Sequence, residues 1–135
     1  MIDISDIVVE RLTSAIHAVD RKTLVKKGLI TDPSSQPCTF IREMDNASYT
    51  KSETRRGENH AKVAYEINTF GTPEDAMKVQ AAIDTEMQAM NFHRRFCKEI
   101  PNTDNSIARV VSRYSAVVEK ARTENGDTVY QMYRR

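Results

Sequence analysis

An α+β domain is the fold class this sequence predicts: a mostly antiparallel sheet packed on one face by two helices, in the order α-β-β-α-β-β-β. Three observations predict it. Residues 5–20 and 72–90 each repeat apolar side chains at three- and four-residue spacing, which lines up one face of a helix. Ala61 to Phe70 alternates apolar with polar residues, and Ile107 to Ala121 is dense in β-branched residues and tyrosine; both are strand habits. Glu124-Asn125-Gly126-Asp127 then turns the chain into a returning strand, so sequential strands run antiparallel and helices cover one side.

Each element follows from local chemistry. Ile4, Val8, Leu12, Ala15, Ile16 and Val19 form the core stripe of a first helix from about Ser5 to Asp20. Asp3, Ser5 and Asp6 crowd its start, where oxygens accept from unpaired amides and negative charge suits the dipole. Asp20 to Lys27 is charged, and Gly28 breaks the chain. Asp32-Pro33-Ser34-Ser35-Gln36-Pro37 is a loop, because two prolines and two serines sustain neither periodicity.

Cys38 to Met44, with Phe40 and Ile41, is a short strand. Residues 45–60 are polar and charged, a long loop for a connection inside a compact domain. It is expected to be a mobile hairpin tip or a segment ordered by a partner. In the strand that follows, Ala61, Val63, Tyr65, Ile67 and Thr69 share the buried face, while Lys62, Ala64, Glu66 and Asn68 share a wet one. Gly71 ends it. Thr72 is placed as the N-cap of the second helix, with Pro73 at the first helical position and Glu74 and Asp75 in the first turn. Its apolar stripe is Ala76, Val79, Ile83, Met87 and Met90, and Met77, Met87 and Met90 are expected to fill core space.

Asn91 suits a left-handed helix end. Phe92 to Glu99 is a strand in which Phe92, Arg94, Phe96 and Lys98 oppose His93, Arg95, Cys97 and Glu99. Residues 101–105 are a loop. Asn125-Gly126 predicts positive φ at both turn centres, and residues 128–133 form the last strand.

The 135 residues are read as a single domain, 1–135, large enough to bury about two-thirds of the unfolded surface. No apolar run approaches the roughly 20 residues that span a bilayer, and the first residues lack the basic and apolar regions of a secretory signal. A net charge of +1 argues against non-specific nucleic-acid binding as the main role. Cys38 and Cys97 stand alone in their neighbourhoods, unlike metal ligands, and are expected to be reduced thiols in a reducing compartment.

Candidate chemistry is sparse. His17, His60 and His93 have no partner three or four residues away to form a metal face or an oriented base. There is no nucleophile elbow, no phosphate-binding glycine loop and no paired metal carboxylates, so neither catalysis, a metal nor a cofactor is expected. Arg55-Arg56 and His93-Arg94-Arg95 are small basic clusters. They suit phosphate or an acidic partner, or simply an edge charge that blocks unwanted strand pairing.

Val63-Ala64-Tyr65-Glu66-Ile67, the Pro-Glu-Asp-Ala helix running to Ile83-Asp84-Thr85-Glu86-Met87, Met90-Asn91-Phe92-His93-Arg94, Ile100-Pro101-Asn102 and the run Ile107 to Val118 occur in that order. In this wording the chain resembles the tail-completion or tail-terminator proteins of long-tailed phages and related phage-like particles, over about Pro37 to Val118. The resemblance implies a small α+β protein that assembles as a ring, usually a homohexamer. Such a ring caps the tail tube, ends its polymerisation and offers a surface for head joining.

Implied partners are the tail tube protein and a head–tail connector protein, with DNA passing through the ring without specific recognition and no membrane. The implied location is the head-proximal end of the virion tail, after assembly in the bacterial host cytoplasm. Ring contacts are heterologous, one surface meeting a different one on the next copy. The candidate contact residues are Lys51, Glu53, Arg55, Arg56 and Glu58 in the polar loop, and Tyr130 and Tyr133 on the last strand. The alternatives are a head–tail connector or stopper component and a small nucleic-acid-binding α+β module.

Overall fold

The computed structural model describes residues 1–28, 37–48, 60–100 and 107–134. The elements are α1 (Ser5–Val19), β1 (Leu24–Lys27), β2 (Cys38–Ser48), β3 (His60–Gly71), α2 (Pro73–Ala89), β4 (His93–Ile100), β5 (Ala108–Arg122) and β6 (Thr128–Tyr133). Strand order across the sheet is β1-β2-β3-β5-β4, with β6 also on β5. Every pairing is antiparallel except the parallel β1–β2 pair. The α+β class is as predicted, with one more strand.

That extra strand lies where the charge of Lys26 and Lys27 pointed to an irregular stretch. Only Val25 packs against the core, so four residues carry no legible periodicity. β1 exists because β2 pairs with it, Leu24 opposite Cys38 and Lys27 opposite Ile41. β2 also runs to Ser48 rather than Met44, held by β3 through Ser48–Ala61. Residues 45–48 and 60 are therefore strand, not loop; residues 49–59 lie outside the described residues.

The helices pack on one sheet face. Val8, Leu12 and Ile16 of α1 and Val79, Ile83 and Met87 of α2 meet Ile41, Tyr65, Ile67, Tyr114, Ala116 and Val118 in one core. Of the predicted α1 stripe, Val19 is exposed and Ala15 only half-buried. The predicted α2 stripe is buried throughout, but Met77 is 52% exposed and fills no core space. Thr72 Oγ1 accepts from Asp75 N at 3.2 Å, with Pro73 opening the helix, as predicted. Asn91 takes φ +64 directly after it. In the β5–β6 turn only Gly126 has positive φ; Thr123 N donates to Asp127 O and Thr123 Oγ1 accepts from Asp127 N, a longer loop than a two-residue turn.

Two buried tyrosines tie the helices to the sheet. Tyr65 and Tyr114 face each other across β3 and β5. The Tyr65 hydroxyl donates to Glu43 Oε2 at 3.2 Å and lies 3.1 Å from Ser5 Oγ at the start of α1. The Tyr114 hydroxyl donates to Asp84 Oδ1 at 2.9 Å and accepts from Gln80 Nε2 at 3.1 Å, both on α2. Burial, reinforced by the Glu43 and Asp84 carboxylates, raises both phenols above their ordinary range, so they stay protonated donors. Tyr65→Phe and Tyr114→Phe should each lower unfolding free energy by about 1–2 kcal/mol, since each strands buried polar partners. Urea denaturation of the two variants and the wild type checks this; losses below experimental error would show the hydroxyls to be passengers.

Candidate functional site

Among the described residues, the sheet face away from the helices and the edge strand β4 carry the most distinctive surface chemistry. Across the middle of that face runs a row set by register: Arg42 on β2, Glu66 on β3, Arg113 on β5 and Phe96 on β4. Glu66 accepts from Arg42 Nη2 at 3.1 Å and Arg113 Nε at 3.0 Å. One row away, Asn68 donates to Glu66 Oε1 at 3.1 Å and accepts from Arg109 Nε and Nη2 at 3.1 and 2.8 Å. Arg109 and Arg113 lie over the rings of Phe70 and Phe96, 5.6 and 5.5 Å from their centroids.

This row overturns the expectation of a uniformly wet face. Glu66 and Asn68 are 5% and 1% exposed. A strand pattern shows that two polar residues share a side; it does not show that three arginines from other strands will close over them. The signal was present as Arg109 and Arg113, four residues apart and so on one face of β5. Burial alone would raise the Glu66 carboxyl, but hydrogen bonds from Asn68, Arg42 and Arg113 and the Arg42 charge outweigh it, and the group lies below its ordinary range.

β4 is unusual for the opposite reason. Residues 93–99 are all exposed, on both faces, while the neighbouring β5 is largely buried. A register shift between Arg94 and Phe96 inserts an extra residue, so strict alternation fails. Arg94 turns to the helix side and pairs with Asp84 at 3.2 Å, whereas Phe96 lies on the opposite face, 40% exposed. Arg95, the extra residue, donates from Nε to Ser115 Oγ at 2.7 Å. β4 covers the first half of one β5 edge and β6 the second, which leaves the outer edges of both strands at the rim of the described sheet.

The predicted contact residues divide accordingly. Lys51, Glu53, Arg55, Arg56 and Glu58 lie outside the described residues. Tyr130 is half-buried and packs with Met132 on the helix-side core. Tyr133 lies on the other face, exposed, its hydroxyl donating to Glu119 Oε2 at 2.7 Å. The structure does not bring the two tyrosines together. Sequence reasoning named neither Phe96 nor the Arg42–Glu66–Arg113 row as a site.

Cys38 and Cys97 are both free, one buried on β2 and one exposed on β4. Three strand spacings separate them, roughly 14 Å, about twice the reach of a disulfide. Burial pushes the Cys38 thiol up to about 11. Among the described residues no three His, Cys, Asp or Glu side chains group to hold a metal, and no helix is long and apolar enough to cross a membrane. No protein-family model matches this chain, and a search of curated proteins finds no significant match.

Because the folded Glu66 carboxyl is held below its ordinary 4.5, its pairing stabilises the fold above that value and is lost as pH falls through the depressed one. Glu66→Gln should cost about 1–2 kcal/mol at pH 7, discounted for the half-exposed arginines. The gap between variant and wild type should narrow on acidification towards pH 3. A gap that is flat or widens, measured by urea unfolding at both pH values, would refute the role given to the charge.

Proposed function

We propose that this chain is a structural assembly protein that closes into a homohexameric ring at the head-proximal end of a phage-type tail tube. The ring ends tube polymerisation and presents a surface to a connector protein, and the tube protein is its direct partner. The wording of residues 37–118 supplies the family resemblance. The structural observation that supports it best is β4, an eight-residue strand exposed on both faces that carries a half-exposed phenylalanine at the rim of the sheet.

Two features make β4 a contact suited to a defined neighbour rather than to indiscriminate pairing. A flat exposed edge invites any other strand, but the extra residue at Arg95 interrupts its hydrogen-bonding ladder. Contacts are then made by side chains, and Arg94, Phe96 and Lys98 offer charge and an aromatic surface in one short span. The opposite end of the sheet, at β1, presents different chemistry, as head-to-tail contacts between identical subunits require.

Cys97 is a reporter already in place. Native mass measurement should find a six-copy ring when tube ends are supplied, and maleimide labelling of Cys97 should slow severalfold on assembly while Cys38 stays unreactive. A chain that remains monomeric with tube ends present would overturn the ring. Rings that form with Cys97 labelling at its monomer rate would keep the ring and remove β4 from the contact.

A further inference from the structure

Charge is divided between the two layers far more sharply than a net charge of +1 suggests. The helices α1 and α2 hold six carboxylates and two cations, a net of −4, whereas the strands hold eleven cations and five carboxylates, a net of +6. Much of the strand charge reaches the helix-free face. Arg42 and Arg113 are joined there by Arg109, by Lys62, two positions from Ala64 and four from Glu66, and by Lys98, opposite Val111. The carboxylates on the same face are Glu66, Asp45, opposite Ala64, and Glu119, which accepts from Tyr133, so these cations outnumber these acids by five to three.

We propose that this helix-free sheet face binds the phosphate backbone of DNA. Lys62 and Lys98 are exposed, and the Arg42 and Arg113 side chains are 40% and 48% exposed even while bonded to Glu66. Glu66 orients the two guanidinium groups and neutralises only one of them, so a positive charge is left over and held in place. Planar guanidinium forks match phosphate oxygens better than an ammonium does.

The arrangement selects the ligand class. Arg42 and Arg113 lie two strands apart, roughly 10 Å, and with Lys62 and Lys98 they spread over a surface rather than converge on a point. That suits an extended polyanion more than a single small anion. Among the described residues the face is a sheet surface with no element projecting to enter a groove, so contact is with the backbone, independent of base sequence. Phe96 beside Arg113 adds an aromatic surface of the kind that stacks unpaired bases. This inference stands on the charge layout and the Phe96 ring of the single chain and does not require the ring assembly, whose β4 contact would engage Phe96 and Lys98 instead.

Fluorescence anisotropy with a labelled 20-base-pair duplex, and with a single strand of the same length, provides the test. Four phosphate contacts predict that log K falls against log salt with a slope of roughly −3 to −4 on the duplex. The double substitution Lys62→Gln and Lys98→Gln should reduce that slope by about 2 and weaken binding, since each lost contact releases fewer counterions. Lys120→Gln with Arg122→Gln, on the other face of β5 by alternation, should leave both nearly unchanged. Thermal melts confirm that each variant folds.

Tighter binding to the single strand than to the duplex would assign Phe96 to stacking and support the face. No binding to either DNA at 50 mM salt, or equal losses in the two double variants, would overturn the proposal. It would equally fall if the Lys62 and Lys98 substitutions weakened self-association at low salt and left DNA binding intact. That result would give the face to a second copy of the chain.

Discussion

Tyr65 and Tyr114 are the pair on which the rest of this structure depends. They sit opposite each other at the centre of β3 and β5, and each sends its hydroxyl to a different helix. The rings contribute apolar area to the core, with Tyr65 edge-on to Phe92 at 5.9 Å. Their hydroxyls fix where Ser5 and Asp84 must lie. A purely aliphatic core fills the same volume while allowing a helix to slide or rotate; a directional bond at each helix removes that freedom. The network around Tyr114 extends further, since Ser112 Oγ donates to Gln80 Oε1 and Arg94 reaches Asp84, so one tyrosine locks α2, β4 and β5 together.

Rigidity on the helix side leaves the other face of the sheet available for charge. There, Glu66 and Asn68 make the close approach of three arginines tolerable, and the Phe70 and Phe96 rings support two of the guanidinium groups. A single buried carboxylate between two half-exposed cations is a weak contributor to stability compared with the core, but it orients side chains strongly. The molecule is thus a two-layer body: an acidic helical layer, an apolar middle and a basic sheet.

The length of β5 decides what the sheet exposes. Its fifteen residues hold β3 along one edge and divide the other between β4 and β6. Both of those strands therefore end at a rim, and neither is covered by a helix along its whole length. β4 gains order from ladder bonds to β5 and from the Arg94–Asp84 and Arg95–Ser115 contacts, not from burial. Such a strand is fixed in position while Phe96, Cys97 and Lys98 stay exposed to solvent.

Both helices, the five longer strands and the α+β class were legible because their signals are local. The cap at Thr72, the stripe from Ala76 to Met90 and the alternation from Ala61 to Ile67 all concern residues within a few positions of one another. β1 was hidden, since Leu24 to Lys27 form a strand only once β2 lies beside them. The reversal of Phe96 relative to Arg94 was hidden as well, because an extra residue in a ladder appears only when the partner strand is in place. Above all, Glu66 looked solvated in a one-dimensional pattern. Its burial depends on Arg42 and Arg113, residues 24 and 47 positions away that only the sheet register brings within hydrogen-bonding distance. Periodicity determines which residues share a side of an element; pairing between distant strands decides what stands opposite that side, and with it where charge and shape accumulate.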